Sequence, residues 1–412
     1  MQIIEADILI CGAGPAGSAC AIMLANSGKK VVLTDKSTFP RDKTCGDALS
    51  IDVINQLSIL SPELLKEFTD LKEKVPSYGI RIFAPGQEFL DIPFVQDGKL
   101  ACGYISPRLD FDNLLFNHAK KQKNIIIFEQ CTVEKITISK DEVIAFSADK
   151  EFHAPLIIGA DGAHSIVAKT LGNFKVDKKH YTAGLRVYYE NVKGLDQNNL
   201  IELHFIKELL PGYLWIFPLP NNKANVGIGM LSSVISSRKI NLRDTLKQII
   251  QGNTNLAERF KGATPLESVK GFGLPLGSKK RAISGERFLL AGDAASMIDP
   301  LSGEGIGNAI RCGRIAAEHA LACLEKKDYS VAFNKRYDKE VYSRMWKELR
   351  ISRIMQKVFS HGWFLNIIVK NANRSPYLKH ILTGALGNST KKKYLLLSPK
   401  FYYELFRKKQ HT

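Results

Sequence analysis

An α/β fold, with a parallel sheet, an antiparallel sheet inserted into it and a helical region after it, follows from three features of this 412-residue sequence. Unbroken apolar runs (Ile8-Leu9-Ile10-Cys11, Leu156-Ile157-Ile158-Gly159 and Phe288-Leu289-Leu290-Ala291) each lead into a glycine-containing turn, the mark of strands buried on both faces. Between 183 and 230 the style changes to short alternating segments, as in an antiparallel meander. Beyond about 335 the chain turns helical and basic.

The elements follow in order. After the strand Ile8–Cys11, residues 16–26 have helical composition, and Ser27-Gly28 marks the stop. The next strand, Val31–Thr34, has Asp35 at its end, which completes a βαβ unit. Two short strands are expected in 78–94 around Ala84-Pro85-Gly86-Gln87, then a helix over 110–122 and strands at Ile125–Phe128, 133–138 and 156–159. The meander places strands near 185–189, 200–205, Tyr213–Leu219 and 224–230. A glycine-rich loop after Ala291 opens a helix through Leu324. The expected division is 1–75, 100–180 and 266–335 for the α/β domain, 76–99 and 181–265 for the inserted sheet, and 336–412 for the basic helical region.

Charge and cysteine usage narrow the functional class. From 335 to 412, 18 Lys and Arg face 4 Asp and Glu, so +14 of the chain's net +17 lies in the last fifth of its length. No recognition fold with groove-reading or base-stacking residues accompanies that charge, so no nucleic-acid partner is expected. An anionic membrane surface is the candidate partner of the tail, against a face that merely aids solubility. The apolar clusters at 363–369 and 394–397 fall short of the ~20 residues a spanning helix needs. Seven scattered cysteines without a CxxC pair argue against a zinc site or a disulfide framework. Lys43, His164, His180 and His204 show no ligand spacing, so no metal is expected. Met1 to Asp7 lead straight into a strand-like run, and a cytoplasmic protein, peripheral on the inner membrane face if the tail binds lipid, is the expectation.

The chemistry sits in the turns. Gly12-Ala13-Gly14-Pro15-Ala16-Gly17 is a GxGxxG run between a strand and a helix, with Asp35 18 residues after Gly17. Gly12 permits the tight turn, Gly14 lets backbone approach a pyrophosphate, and Gly17 lets the helix pack on the strand. The helix start at Pro15 and Ala16 offers free N–H groups to phosphate, and Asp35, followed by Lys36, is placed for a ribose. This Rossmann-type pattern alone suits NAD or FAD. Two later strand ends decide for FAD: Gly159-Ala160-Asp161-Gly162 and Ala291-Gly292-Asp293-Ala294. An extended flavin dinucleotide needs contacts far from its pyrophosphate loop, and a carboxylate after a buried strand suits its ribityl hydroxyls. The helix opening at Gly303-Glu304-Gly305-Ile306 would aim N–H groups at the pyrimidine side of the flavin.

These three segments resemble the GxGxxG, DG and GD motifs of the group A, PHBH-like FAD-dependent hydroxylase superfamily, to which the geranylgeranyl reductases also belong. The resemblance implies that Asp293 contacts the ribityl chain and that Arg108, in Ser106-Pro107-Arg108-Leu109-Asp110, lies near the cofactor. From its neighbours alone Arg108 also reads as a surface salt-bridge partner of Asp110 or Asp112. Pro40-Arg41-Asp42-Lys43-Thr44-Cys45-Gly46 resembles the reductases' PxxKxCG segment, which implies that Cys45 and Gly46 lie at the flavin and that Cys45 influences catalysis. Lys43 is the cation nearest it in sequence. Tyr213-Leu214-Trp215-Ile216-Phe217-Pro218, with Gly227-Ile228-Gly229 eight residues on, resembles their YxWxFP-x8-GxG signature. Tyr213, Trp215 and Phe217 share one strand face and form an aromatic wall, with Gly227 and Gly229 leaving space beside it for a hydrophobic substrate; core packing is the plainer reading of the same residues.

The resemblance implies an FAD-dependent oxidoreductase that reduces carbon–carbon double bonds of a prenyl-type or other hydrophobic small molecule or lipid. A monooxygenase of the same fold (an aromatic hydroxylase or a halogenase) and a membrane-associated flavoprotein without turnover remain as alternatives. A second GxGxxG is absent from the sequence, so NAD(P)H binding transiently and a ferredoxin-like protein are both open as electron donor.

Overall fold

The computed structural model describes residues 1–387 and 393–407. Its central sheet has the order Ile125–Phe128, Val31–Thr34, Ile8–Cys11, Ile157–Gly159, Phe288–Leu290, Ser284–Gly285. The first five strands run parallel and the last closes an antiparallel hairpin. Helices cover this sheet, which is why its strands are apolar throughout. Pro15–Leu24 and Ile306–Lys326 meet closely because Gly313 lacks a side chain: a Cβ there would lie 2.1 Å from the Ala16 carbonyl oxygen. Gln2–Glu5 joins Lys150–Ala154, Val143–Phe146 and Lys135–Ile138 in a small four-stranded sheet, of which the sequence pattern suggested only the 133–138 strand.

The second large sheet joins Gly79–Phe83 and Phe89–Pro93 to the later meander through the parallel pairing of Gly79–Phe83 with Ile201–His204. Tyr181–Glu190, Lys223–Leu231 and Tyr213–Leu219 pair antiparallel at its centre, and Lys270–Pro275 adds to Tyr181–Glu190. One face of this sheet packs Val187, Leu214, Ile216, Val226 and Ile228 against Leu246, Ile249, Leu256 and Phe260. Those last residues belong to helices Leu242–Gly252 and Thr254–Phe260, which Asn241 and Asn253 cap at their starts. The opposite face looks toward the central sheet.

The described residues of the basic C-terminal part are mostly packed helix. Val331–Val358 begins in the central core, through Phe333, Tyr337, Val341, Met345 and Leu349, so position 336 falls inside one continuous helix. Its end, with Gly362–Arg374, Pro376–Leu386 and Pro399–Phe406, forms a second core against Ile82, Leu90, Ile92 and Phe205 of the inserted sheet. The tail's Lys391, Lys392, Lys408 and Lys409 lie outside the described residues. Among the described residues no helix is long and apolar enough to cross a membrane.

Candidate active site

A cavity of about 710 Å³ lies between the two large sheets, and most of the sequence-derived candidates line it. At one end is the glycine turn. Gly12 has φ +96°, and a Cβ there would sit 2.4 Å from the Ala160 carbonyl oxygen, so only glycine fits. Gly17 lies beneath the cavity and packs the helix on this turn, its own Cβ position 1.8 Å from the Gly12 carbonyl oxygen. Helix Pro15–Leu24 starts at Gly14 without a side-chain cap. Its first N–H groups therefore face the cavity free of a protein acceptor side chain. Asp35 is buried and holds the turn shut: its Oδ2 accepts the Ala13 N–H (2.8 Å) and its Oδ1 the Ser37 N–H (2.9 Å). Each carboxylate oxygen keeps a second lone pair, so this role leaves room for a ribose hydroxyl. Exposed Lys36 lies beside it on the rim.

Further along are the two later strand ends. Asp161 Oδ2 accepts the Ile166 N–H (2.7 Å) at the start of helix Ile166–Thr170, while Oδ1 is buried with no protein partner among the described residues. Burial pushes its carboxyl above the usual range. Gly292 (φ +63°) does not line the cavity; it lets the strand end nestle against Ala16 and Ala309. Asp293 does line it, with Lys43 Nζ 3.5 Å from its Oδ2. Gly303 (φ +72°) shapes the next loop, and Gly305 precedes helix Ile306–Lys326, again without a side-chain cap. Two uncapped helix starts facing one elongated space, a buried acceptor without a partner, and glycines where a Cβ would intrude together fit an extended FAD.

In the middle of the cavity the structure settles one open sequence reading and changes two others. Arg108 is buried and forks onto Asp112, Nε to Oδ1 at 2.6 Å and Nη2 to Oδ2 at 2.7 Å, while Arg41 approaches the same carboxylate at 2.9 Å. Burial alone would raise the Asp112 carboxyl, but Arg108 and Arg41 hold it below its usual range. The pair is thus the salt bridge its neighbours suggested, yet internal and on the cavity wall. Second, the cation beside half-buried Cys45 is Arg108. Lys43 instead lies over the Phe272 ring at 4.3 Å and beside Asp293. Third, Gly227 and Gly229 are not lining residues. They sit opposite Trp215 and Tyr213 across the strand pair and form the floor under the indole: a Cβ on Gly227 would come within 2.2 Å of Trp215 Cζ2.

Tyr213, Trp215 and Phe217 do form one aromatic row, with ring centroids 6.4 and 6.3 Å apart, and all three line the cavity. The Tyr213 hydroxyl donates to the Ser302 carbonyl oxygen (2.5 Å), which ties the wall to the loop before Gly303. Gly46 lies on Phe217, where a Cβ would be 2.6 Å from Cε2. Sequence reasoning missed the polar residues behind this row. Asn225 bonds the Trp215 indole, and buried Asp47 bonds Asn225 and Tyr188. It also missed Lys393, which pairs with Asp299 at 2.6 Å where the cavity meets the C-terminal helices. A lone Asn or Asp in a strand-rich stretch carries no periodic signal. His164, His180 and His204 are dispersed onto Phe272, Ser278 and Glu202.

A family model described as an FAD binding domain matches residues 5–352. The menaquinone reductase of Mycolicibacterium smegmatis is 28% identical over 393 residues, 93% of this chain and 92% of its own. The digeranylgeranylglycerophospholipid reductase of Methanococcus vannielii is 30% identical over 363 residues, 85% of this chain and 87% of its own. A crystal structure of a geranylgeranyl bacteriochlorophyll reductase-like protein from Thermoplasma acidophilum matches with a TM-score of 0.81 at 22% identity, covering 98% of this chain and 100% of that one. The chain belongs to the FAD-binding-domain family of flavoproteins, among its geranylgeranyl-reductase-like members, and is an FAD-dependent oxidoreductase.

Proposed function

We propose that the protein reduces carbon–carbon double bonds in the isoprenoid chain of a lipid. The observation that carries this reading is the continuity of the cavity. From Gly14, Asp161 and Asp293 it runs past Cys45 and the aromatic row into an arm lined by Ile80, Ile82, Leu203, Phe205, Phe359 and Leu386. An arm of aliphatic and aromatic side chains suits a long apolar chain. FAD, held by the glycine turn, Asp161, Asp293 and the start of helix Ile306–Lys326, would supply hydride to one alkene carbon once reduced. Trp215 and Phe217 would press the alkene flat, and the surrounding apolar side chains would keep water from it. The other carbon needs a proton, which a protein acid or water near Cys45, itself beside Arg108, would supply. Two electrons and two hydrogens are thus added per double bond, the electrons coming from NAD(P)H or a ferredoxin-like protein.

The lipid would reach the arm from a membrane. Trp363, Ile367, Lys370 and Arg374 lie along one stripe of helix Gly362–Arg374, three of them exposed and Ile367 half-buried, and exposed Lys400, Tyr403 and Phe406 lie on the helix beside it. The Asn371 side chain bonds the Leu405 carbonyl oxygen, and the Phe364 and Phe406 rings are 6.3 Å apart, so both helices present one aromatic and basic surface. That charge complements anionic lipid.

The test of the reductase reading is anaerobic. The protein with its FAD is reduced by dithionite and mixed with geranylgeranyl or menaquinone-type lipid in the absence of oxygen. Flavin reoxidation with a product about two mass units heavier supports the proposal. A flavin that stays reduced until oxygen enters, and then yields an oxygenated product, would assign the protein to the monooxygenases of this fold instead.

A further inference from the structure

Behind the aromatic row lies a polar network whose core, Asn225, Asp47 and Tyr188, does not line the cavity. Asn225 is fully buried in strand Lys223–Leu231, in register with Phe217 on one side and Tyr188 on the other. Its amide nitrogen donates to the Cys45 carbonyl oxygen (2.8 Å) and to Asp47 Oδ2 (2.7 Å), and its amide oxygen accepts the Trp215 indole N–H (2.9 Å). The indole can only donate, so the amide has one workable orientation. The Tyr188 hydroxyl donates to the same Asp47 oxygen at 2.5 Å, and the Asp47 carbonyl accepts the Ser106 N–H at 3.0 Å. Gly46, between the two anchored residues, rests on Phe217. The Cys45 loop is therefore clamped against the wall from behind.

We infer that Asn225, backed by Asp47 and Tyr188, is a positioning residue that fixes both the indole plane of Trp215 and the distance of the Cys45 loop from it. Removing the amide frees the loop at one end and the ring at the other. The volume of the side chain could be kept without restoring either bond, which separates a positioning role from simple filling of space. The inference rests on the reductase reading only where it concerns turnover; the placement of Cys45 stands on the geometry alone.

The experiment compares the FAD-loaded protein with its Asn225→Leu, Asn225→Ser and Asp47→Asn variants. Cys45 alkylation by iodoacetamide is followed by peptide mass spectrometry, with half-buried Cys102 as internal reference. Alkene reduction by the dithionite-reduced protein and flavin reoxidation by oxygen are followed in parallel. In Asn225→Leu we expect Cys45 labelling to rise and kcat for alkene reduction to fall, each by about tenfold or more, with a smaller change in KM and unchanged oxygen reoxidation. Asn225→Ser, whose hydroxyl is too short to span both acceptors, should behave likewise and decides the question if the leucine variant does not fold. Asp47→Asn keeps an acceptor for Asn225 and Tyr188 and should retain slow labelling. Wild-type labelling rates in both Asn225 variants, or labelling raised equally at Cys102, would overturn the inference. Wild-type protein inert toward prenyl lipid would refute the reductase reading while leaving the labelling comparison to decide the clamp.

Discussion

At Gly227 one methyl group separates a flat indole from a displaced one. A Cβ there would meet the Leu185 carbonyl oxygen at 2.1 Å and Trp215 Cζ2 at 2.2 Å, and the backbone partner cannot step aside. Two residues on, a Cβ at Gly229 finds nothing nearer than 3.7 Å. Gly227→Ala should therefore lose about 1–3 kcal/mol in denaturant unfolding and most of the alkene reduction, with FAD still bound. Gly229→Ala should stay within about 1 kcal/mol of wild type; equal losses at both positions would deny the indole floor its role. Asp47 supports a prediction about pH. Burial, outweighing the Tyr188 and Asn225 hydrogen bonds and the Arg186 and Arg108 charges, raises its carboxyl to about 6. Because the folded value lies above the unfolded one, the fold favours the neutral acid, and stability falls as pH rises from the ordinary carboxylate range through about 6. A rise of roughly two units corresponds to about 3 kcal/mol. Unfolding curves of Asp47→Asn and wild type should thus diverge in favour of the variant between about pH 4 and pH 7, and parallel curves would count against a buried, titrating Asp47.

Elements differ in how far the sequence announces them. The strand Ile8–Cys11, its glycine turn and helix Pro15–Leu24 were legible because every constraint there is local: apolar run, φ > 0 turn, proline at the first helical turn. The aromatic row was legible because alternation puts Tyr213, Trp215 and Phe217 on one face whatever the strand pairs with. What Gly227 and Gly229 do was not, since it depends on register with a neighbouring strand. Helices Ile51–Leu60 and Pro62–Asp70 and the pair Leu242–Gly252 and Thr254–Phe260 were missed where a short amphipathic stretch lies next to strand-like sequence. The Lys393 contact was invisible for a plainer reason: 94 residues separate it from Asp299. That ion pair joins the C-terminal helices to the loop before Gly303, and Asp299 also accepts the Leu301 and Ser302 N–H groups and the Ser352 hydroxyl. Burial opposes ionisation, yet Lys393 holds the Asp299 carboxyl far below the usual range, so its contribution is present above that range and fades only in strong acid. Lys393→Met should cost about 3 kcal/mol or more by leaving Asp299 buried without its counter-ion, and Asp299→Asn in the same chain should restore part of it. Thermal unfolding of the two variants decides this; a Lys393→Met protein as stable as wild type would mean that the C-terminal segment is held elsewhere.

For the molecule as a whole, the placement of charge links the cavity to a surface. The cavity reaches Phe359 and Leu386, in the same packed helices whose exposed residues include Trp363, Tyr403 and Phe406. Exposed Lys370 and Arg374 on helix Gly362–Arg374 and exposed Lys400 on helix Pro399–Phe406 lie on the same outer side. At about 1 kcal/mol for each basic residue near an anionic bilayer, three of them favour binding by about a hundredfold over a neutral one. The same attraction is screened when the Debye length shrinks from about 10 Å at 0.1 M salt to about 3 Å at 1 M. Co-sedimentation with phosphatidylglycerol–phosphatidylcholine vesicles should therefore be strong at low salt, weak at high salt, and weak at any salt with phosphatidylcholine alone. The aromatic residues supply a part that salt does not screen. Replacing Trp363, Tyr403 and Phe406 by Ala should lower binding at both salt concentrations by about tenfold, and should slow reduction of a vesicle-embedded lipid more than that of a detergent-dispersed short-chain alkene. Equal binding to charged and neutral vesicles would remove the electrostatic argument. Binding to neither would make the basic face a solvated surface and leave the substrate to enter the arm from solution.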